Sequence, residues 1–288
     1  PLETMSFLTE FGEVRNTAFM IFFMLLTIAI VSGGVAEGIE RWSTRLMPIL
    51  IITMLLLSGY VLTLDGALNG LSAYLVPDVS ALASPSLIID ALGSAFFSLS
   101  LGVGTMLIYG SYIKDDENLP VTGSLVTLVD VSIAVLAGFL ILPAMYVALN
   151  NGVDIFAPDG SLISENTLIF SVLPSLFESM GLSGKVISFA FFSLMLVAAL
   201  TSAISMLEVP VAYAIEEMKV SRKQAVLLSG GLISGTSLLI VMNFYQLFEL
   251  VVILTTRFAQ PILGMVMCIY VAWVWQRTSV LQEIRKGN

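Results

Sequence analysis

No histidine occurs anywhere in the 288 residues, which removes the commonest metal ligand, the usual general base and the side chain that titrates near neutrality. A Ser-His hydrolase and an HExxH zinc protease are excluded at once. Cys268 is the single cysteine, so an intrachain disulfide, a thiolate cluster and a Cys-rich zinc site are excluded as well. Charge is also scarce: 11% of residues are Asp, Glu, Lys or Arg, against about 25% in a soluble globular domain. With 57% hydrophobic residues and a mean hydropathy of +0.97, the composition is that of an integral membrane protein whose surroundings are the lipid bilayer. The formal net charge of −9 speaks against nucleic acid, which is held by basic patches. The sequence opens without an initiator methionine or a signal-peptide pattern. The chain opens at Pro1, and Glu3, Glu10 and Glu13 follow before Arg15, so the start reads as an interhelical loop cut open and the chain as a fragment.

Stretches free of charge and near the 20 or so residues that cross a bilayer number seven: 16–36, 46–64, 91–113, 121–153 broken by Asp130, 186–207, 224–248, and 250–276 interrupted by Arg257. The fifth is expected to continue as one long helix towards Lys219, because strong helix formers separate Glu208, Glu216 and Glu217. The cytoplasmic side of a membrane protein collects Lys and Arg. Loops one-two, three-four and five-six with the tail hold nine of them (Arg41, Arg45, Lys114, Lys219, Arg222, Lys223, Arg277, Arg285, Lys286), against Arg15 and Lys185 on the opposite side. The first span therefore runs outside to inside, and the C-terminus is cytoplasmic. The outer loops, 65–90 and 150–184, are long and acidic, and the second contains an apolar stretch, 168–176, that suits a short capping helix. Loops of this length are often functional, and a solvated connector is the plain alternative.

Three groups of residues do not suit a lipid-facing helix. Asp130 lies about 14 Å into the fourth span at 1.5 Å per residue. A carboxylate at that depth must be paired, protonated or bound to a cation, so an ion or proton pathway is the leading reading and a structural acid bonded to a neighbouring helix is the other. The third span reads Gly93-Ser94-Ala95-Phe96-Phe97-Ser98-Leu99-Ser100-Leu101-Gly102-Val103-Gly104. Its serines and close glycines suit an unwound mid-membrane segment that exposes backbone groups to a cation or carboxylate, and suit small-residue helix packing equally. The fifth span carries Ala198-Ala199-Leu200-Thr201-Ser202-Ala203, whose hydroxyls are hard neutral ligands for an alkali cation or, again, packing residues. Glu208 is either a second buried acid or the start of the cytoplasmic end.

Taken in order, these features resemble the neurotransmitter:sodium symporter family, secondary transporters with the LeuT-type fold of inverted repeats and broken helices. The resemblance is carried by Phe96-Phe97-Ser98-Leu99-Ser100-Leu101-Gly102-Val103-Gly104 with Tyr109-Gly110-Ser111-Tyr112, by Gly38-Ile39-Glu40-Arg41-Trp42 leading to Met47-Pro48, by Leu200-Thr201-Ser202-Ala203-Ile204, and by Ser221-Arg222-Lys223. It implies an all-α polytopic membrane protein, a partial LeuT-type helical bundle whose seven spans are the family's helices four to ten. Residues 1–89 would hold an extracellular loop and the last two helices of the first repeat, 90–276 the second five-helix repeat, and 277–288 a cytoplasmic tail. Helices one to three, which carry the other half of the core site, would be missing partners.

The resemblance also assigns roles. A second sodium site would take the Ala198 carbonyl and the Thr201 and Ser202 hydroxyls. A first would take Ser98 and Asp130, where the family often has Thr and Asn. The substrate pocket would be lined by Phe97, Ser98, Ser100, Val103, Ser202 and Met206, with Phe97 covering the substrate and Val103 and Met206 forming an apolar wall suited to a hydrophobic amino acid. Glu216 and Tyr112 match the inner gate. The outer-gate Asp of helix ten aligns with Val252, with Glu249 one turn before it. Sodium ions are the expected cofactors. Chloride has no intact site, because Ser94 and Ala134 stand where the family uses Gln and Ser, and the Asp130 carboxylate would supply the compensating charge. The implied function is sodium-coupled symport of amino acids across the plasma (inner) membrane, with no enzymatic step. A proton-coupled amino-acid permease of the same fold, a non-transporting sensor and a truncated remnant stay open. An intramembrane protease does not fit, since Asp130 has no second membrane aspartate and histidine is absent.

Overall fold

The structure, a computed structural model, describes residues 12–34, 36–76, 84–114, 117–152, 155–156, 168–275 and 277–285. These residues are overwhelmingly helical. In chain order the helices are α1 (Gly12–Gly33), α2 (Ala36–Val61), α3 (Ala67–Leu75), α4 (Pro85–Ser98), α5 (Thr105–Tyr112), α6 (Leu119–Asn150), α7 (Leu173–Ser179), α8 (Gly181–Met218), α9 (Arg222–Met242), α10 (Phe244–Val252), α11 (Gln260–Ile269) and α12 (Arg277–Arg285). Short π-helical turns precede α7 (Leu168–Val172), join α10 to α11 (Ile253–Ala259) and follow α11 (Tyr270–Val274).

Among the described residues, five helical segments are long and apolar enough to cross a membrane: Arg15–Gly33, Leu119–Asn150, Gly184–Met218, Arg222–Met242 and Leu247–Val274. Two further apolar segments, Met47–Val61 and Pro85–Ser98, fall short of that length. Five of the seven expected stretches thus coincide with long apolar segments, the second lies largely in the 26-residue helix α2, and the third is interrupted. In the second stretch the helix stops at Val61 and the chain turns through residues 62–66. In the third the backbone unwinds after Ser98. The sixth stretch also ends early: Asn243, at φ −127° and ψ 43°, leaves helical geometry, and Glu249 lies one turn before Val252 in the next helix. The expected extension of the fifth is present, with α8 running unbroken to Met218 and Lys219 turning left-handed at φ 55°. Gln224 then accepts the Ser221 backbone N–H at 3.1 Å, the reciprocal half of a capping box that starts α9.

The chain divides into two compact units. The first comprises Pro1–Gly12, Ala36–Val79 and Val131–Thr201. Its core gathers Leu57 and Val61 of α2, Leu140 and Ala144 of α6, and Leu173 and Phe177 of α7. Phe177, Phe191 and Phe192 pack at centroid separations of 5.6–6.1 Å with tilted or edge-on rings, the arrangement the ring quadrupole favours. α3 lies flush on α6 because Gly70 has no side chain: a Cβ there would stand 2.5 Å from the Leu142 carbonyl oxygen.

The second unit comprises Glu13–Val35, Ser80–Asp130 and Ser202–Asn288. Here α4 runs against the α10–α11 segment with glycines at the crossing. A Cβ on Gly93 would meet the Thr256 carbonyl at 2.7 Å, and one on Gly264 would meet the Phe96 ring at 1.9 Å. Small residues at such crossings let backbones approach where apolar burial gives helices in lipid no drive to associate.

Candidate functional site

The centre of the second unit is the gap between α4 and α5. α4 closes at Ser98 with the Ser100 N–H donating to the Phe97 carbonyl (3.0 Å) and the Leu101 N–H to the Phe96 carbonyl (2.8 Å). Ser100 takes a left-handed conformation, φ 53°, at the position where glycine usually ends a helix. Holding an L-residue there costs about 1–2 kcal/mol. Gly102 (φ 78°) and Gly104 (φ 85°) follow, and both are required: a Cβ on Gly102 would lie 2.5 Å from the Gln260 carbonyl oxygen, and one on Gly104 2.9 Å from Val209. Residues 99–104 are thus unwound backbone between two half-helices. At membrane depth this is tolerated only where the segment is buried in protein or lines a polar cavity. Two side-chain oxygens beside it, Thr105 Oγ1 and Gln260 Oε1, are buried without a hydrogen-bond partner, so the surroundings hold unused polar capacity that a water or ligand can satisfy.

At the end of α4, the Ser98 hydroxyl lies 2.7 and 2.9 Å from the two carboxylate oxygens of Asp130 on α6. A hydroxyl that donates its hydrogen to a carboxylate keeps its own lone pairs, so Ser98 and Asp130 together present several hard oxygen sites suited to a small hard cation. Phe97, Ser100 and Val103 flank this pair, Phe97 in the last turn of α4 and the other two in the unwound stretch. Ser202 and Met206 lie one turn apart on α8.

The remaining sequence-derived residues fall as follows. Ala198, Thr201 and Ser202 share one turn of α8, and the Thr201 hydroxyl donates to the Ala198 carbonyl at 2.8 Å. Glu216 is exposed in the last turn of α8. The Tyr112 side chain lies outside the described residues, so the pairing of the inner gate does too. Val252 ends α10. Among the described residues no group of three or more Cys, Asp or Glu side chains gathers as a metal site.

Three contacts escape sequence reasoning. Tyr109 of α5 and Ser205 of α8 hydrogen-bond through their hydroxyls, tying the second half-helix to the helix that carries Ser202. Arg222 binds both oxygens of buried Glu208, at 3.0 and 2.7 Å, and its Nε donates to the Val31 carbonyl in the last turn of α1 at 3.0 Å. Arg257 pairs with Asp90 at 2.7 Å. A charge interrupting an apolar stretch was the available signal, since each such charge needs a partner, although nothing in the spacing says which.

A sequence profile of the Sodium:neurotransmitter symporter family matches residues 2–287. The chain belongs to that family. The symporter-family chain is 33% identical over 287 residues, 96% of its own length, to the uncharacterized sodium-dependent transporter YhdH of Bacillus subtilis. It is 35% identical over 221 residues to an uncharacterized sodium-dependent transporter of Haemophilus influenzae. It spans 61% and 45% of the length of these two curated relatives. A crystal structure of MhsT in complex with L-phenylalanine superposes on it with a TM-score of 0.85 at 35% identity, covering 95% of this chain and 62% of that one. The family member is therefore a multi-pass, all-helical membrane protein with the LeuT-type fold over the part it spans.

Proposed function

We propose that the chain forms part of a sodium-coupled symporter that moves amino acids with hydrophobic side chains by alternating access. The observation that carries this is the Ser98–Asp130 pair beside an unwound segment. Sodium is cargo here. Bound at Ser98 and Asp130, it would balance a carboxylate that is otherwise costly at membrane depth, and a second sodium would use the Ala198 carbonyl with Thr201 and Ser202. Freed backbone groups at 99–104 then face the polar ends of the substrate, Phe97 covers it, and Val103 and Met206 meet its side chain. The bound ligand of MhsT, L-phenylalanine, fits this preference. Coupling follows when sodium and substrate each bind one conformational state more tightly than the other. Glu216 and Tyr112 serve the inner gate, the Lys- and Arg-rich side and the C-terminus face the cytoplasm, and the membrane is the plasma (inner) membrane.

L-Phenylalanine binding to the protein expressed from its complete reading frame tests this reading. Affinity should rise at least about tenfold from sodium-free buffer to saturating sodium. It should be unchanged when gluconate replaces chloride, because Asp130 supplies the fixed negative charge. Binding indifferent to sodium contradicts the symporter, and binding lost with chloride contradicts the role of Asp130.

A further inference from the structure

We infer that Asp90 and Arg257 are positioning residues of the transport cycle: their ion pair clamps the half-helix α4 to the π-helical turn between α10 and α11, and so sets the position of Phe97 and Ser98. The inference rests on the symporter reading for its functional consequence, and on geometry alone for the clamp.

Arg257 lies ten residues past Leu247 in the apolar segment Leu247–Val274, about 15 Å along it. An unpaired cation so placed costs roughly 2.5–3.5 kcal/mol at the centre of a bilayer. The structure pairs it at two points, Nε with Asp90 Oδ1 at 2.7 Å and Nη2 with Oδ2 at 3.2 Å, which fixes orientation as well as distance. One turn on, Gly93 brings the α4 backbone against the Thr256 carbonyl. Asp90 stands on the same helix as Phe97 and Ser98, two turns before them, so whatever holds Asp90 holds them.

The other jaw is not regular α-helix. Ile253–Ala259 is π-helical, a rare winding that recurs as single turns inside α-helices at functional sites. Thr255 and Thr256 stabilise it by donating to the Val251 and Val252 carbonyls, in bonds of 2.7–3.1 Å. The paired side chains are 49% and 42% exposed, so the pair is not locked inside the packing of this unit. With Val252 in place of an acidic residue, a salt bridge from that position is ruled out, and Asp90–Arg257 supplies an ion pair between α4 and the α10–α11 segment. By the distribution of Lys and Arg it lies on the outer side of the unwound stretch.

The test uses the protein from its complete reading frame in proteoliposomes, with L-phenylalanine as the probe. Arg257→Met and Asp90→Asn should each raise KM about tenfold with Vmax per transporter within about twofold. The swapped pair Asp90→Arg with Arg257→Asp should recover most of the loss. Unchanged KM with merely fewer molecules in the membrane would mean that the pair only neutralises charge, and would overturn the inference. Spin labels at Ile88→Cys and Phe258→Cys in a Cys268→Ala background read the clamp without transport. Arg257→Met should broaden a narrow distance distribution, and an unchanged distribution would remove the clamp. If the unmodified protein takes up no L-phenylalanine, the symporter reading falls and the functional half of the inference with it, while the spin-label result still decides the clamp.

Discussion

Replacing Arg222 with methionine should destabilise the protein by about 3 kcal/mol or more, the usual result of stripping one partner from a buried ion pair. Glu208 is 4% exposed, and the two-point bond from Arg222 is the ion pair the structure gives it. Methionine keeps much of the arginine's apolar stem but leaves the carboxylate without a cation and the Val31 carbonyl without the Nε donor. In detergent, the midpoint for loss of monodisperse protein should fall by roughly 10 °C. The double substitution Glu208→Leu with Arg222→Met removes both charges and should recover most of that fall, because apolar replacements of a whole pair are often neutral or better. Equal losses in the single and double variants would show that packing, not the charge, dominates at this point.

Asp130→Ala should have the largest effect on sodium use. It deletes both carboxylate oxygens and leaves the Ser98 hydroxyl without its acceptor. The sodium concentration for half-maximal L-phenylalanine uptake should rise by at least about thirtyfold, within the range of strong site-to-site coupling. Asp130→Asn keeps an oxygen ligand but no charge and should fall between. Ser202→Ala removes one of the proposed neutral ligands and should shift sodium activation less. Normal membrane expression with unchanged sodium activation in all three would contradict the ion assignment.

How much of this was legible in the sequence depends on the range of the interaction. The break after Ser98 announces itself locally, through serines and closely spaced glycines where a lipid-facing helix would carry apolar residues. Asp130 is conspicuous for the same reason, one carboxylate in a long apolar run. The length of α8 follows from propensity, since the residues between Glu208 and Lys219 favour helix. The interruption of the third span was less legible: an apolar window measures transfer from water, whereas the helix end at Ser98 is set by a backbone turn that glycine, serine and tertiary packing decide. Residues 91–113 therefore look like one full span and yield two half-helices.

Least legible were the long-range pairs. Asp90 and Arg257 are separated by 167 positions, and Arg222 reaches Val31 across 191. Periodicity carries no information about such partners. Ser221-Arg222-Lys223 stood out as a motif before its chemistry was visible. Arg222, the first residue of α9, joins it to the end of α1 and to Glu208 in the interior of α8, and Ser221 opens the capping box. The roles of Gly93 and Gly264 likewise need the crossing segment in view, because a glycine in a helix looks like a weak point until a backbone or ring lies against it.

The central claim, that this family member couples sodium to amino-acid movement, is tested most directly by uptake of radiolabelled L-phenylalanine into proteoliposomes with and without an inward sodium gradient. The account predicts accumulation above equilibrium that needs the gradient and collapses when a sodium ionophore dissipates it. Accumulation driven by a proton gradient alone would contradict it and point to a permease of the same fold, and saturable binding without accumulation would point to a sensor.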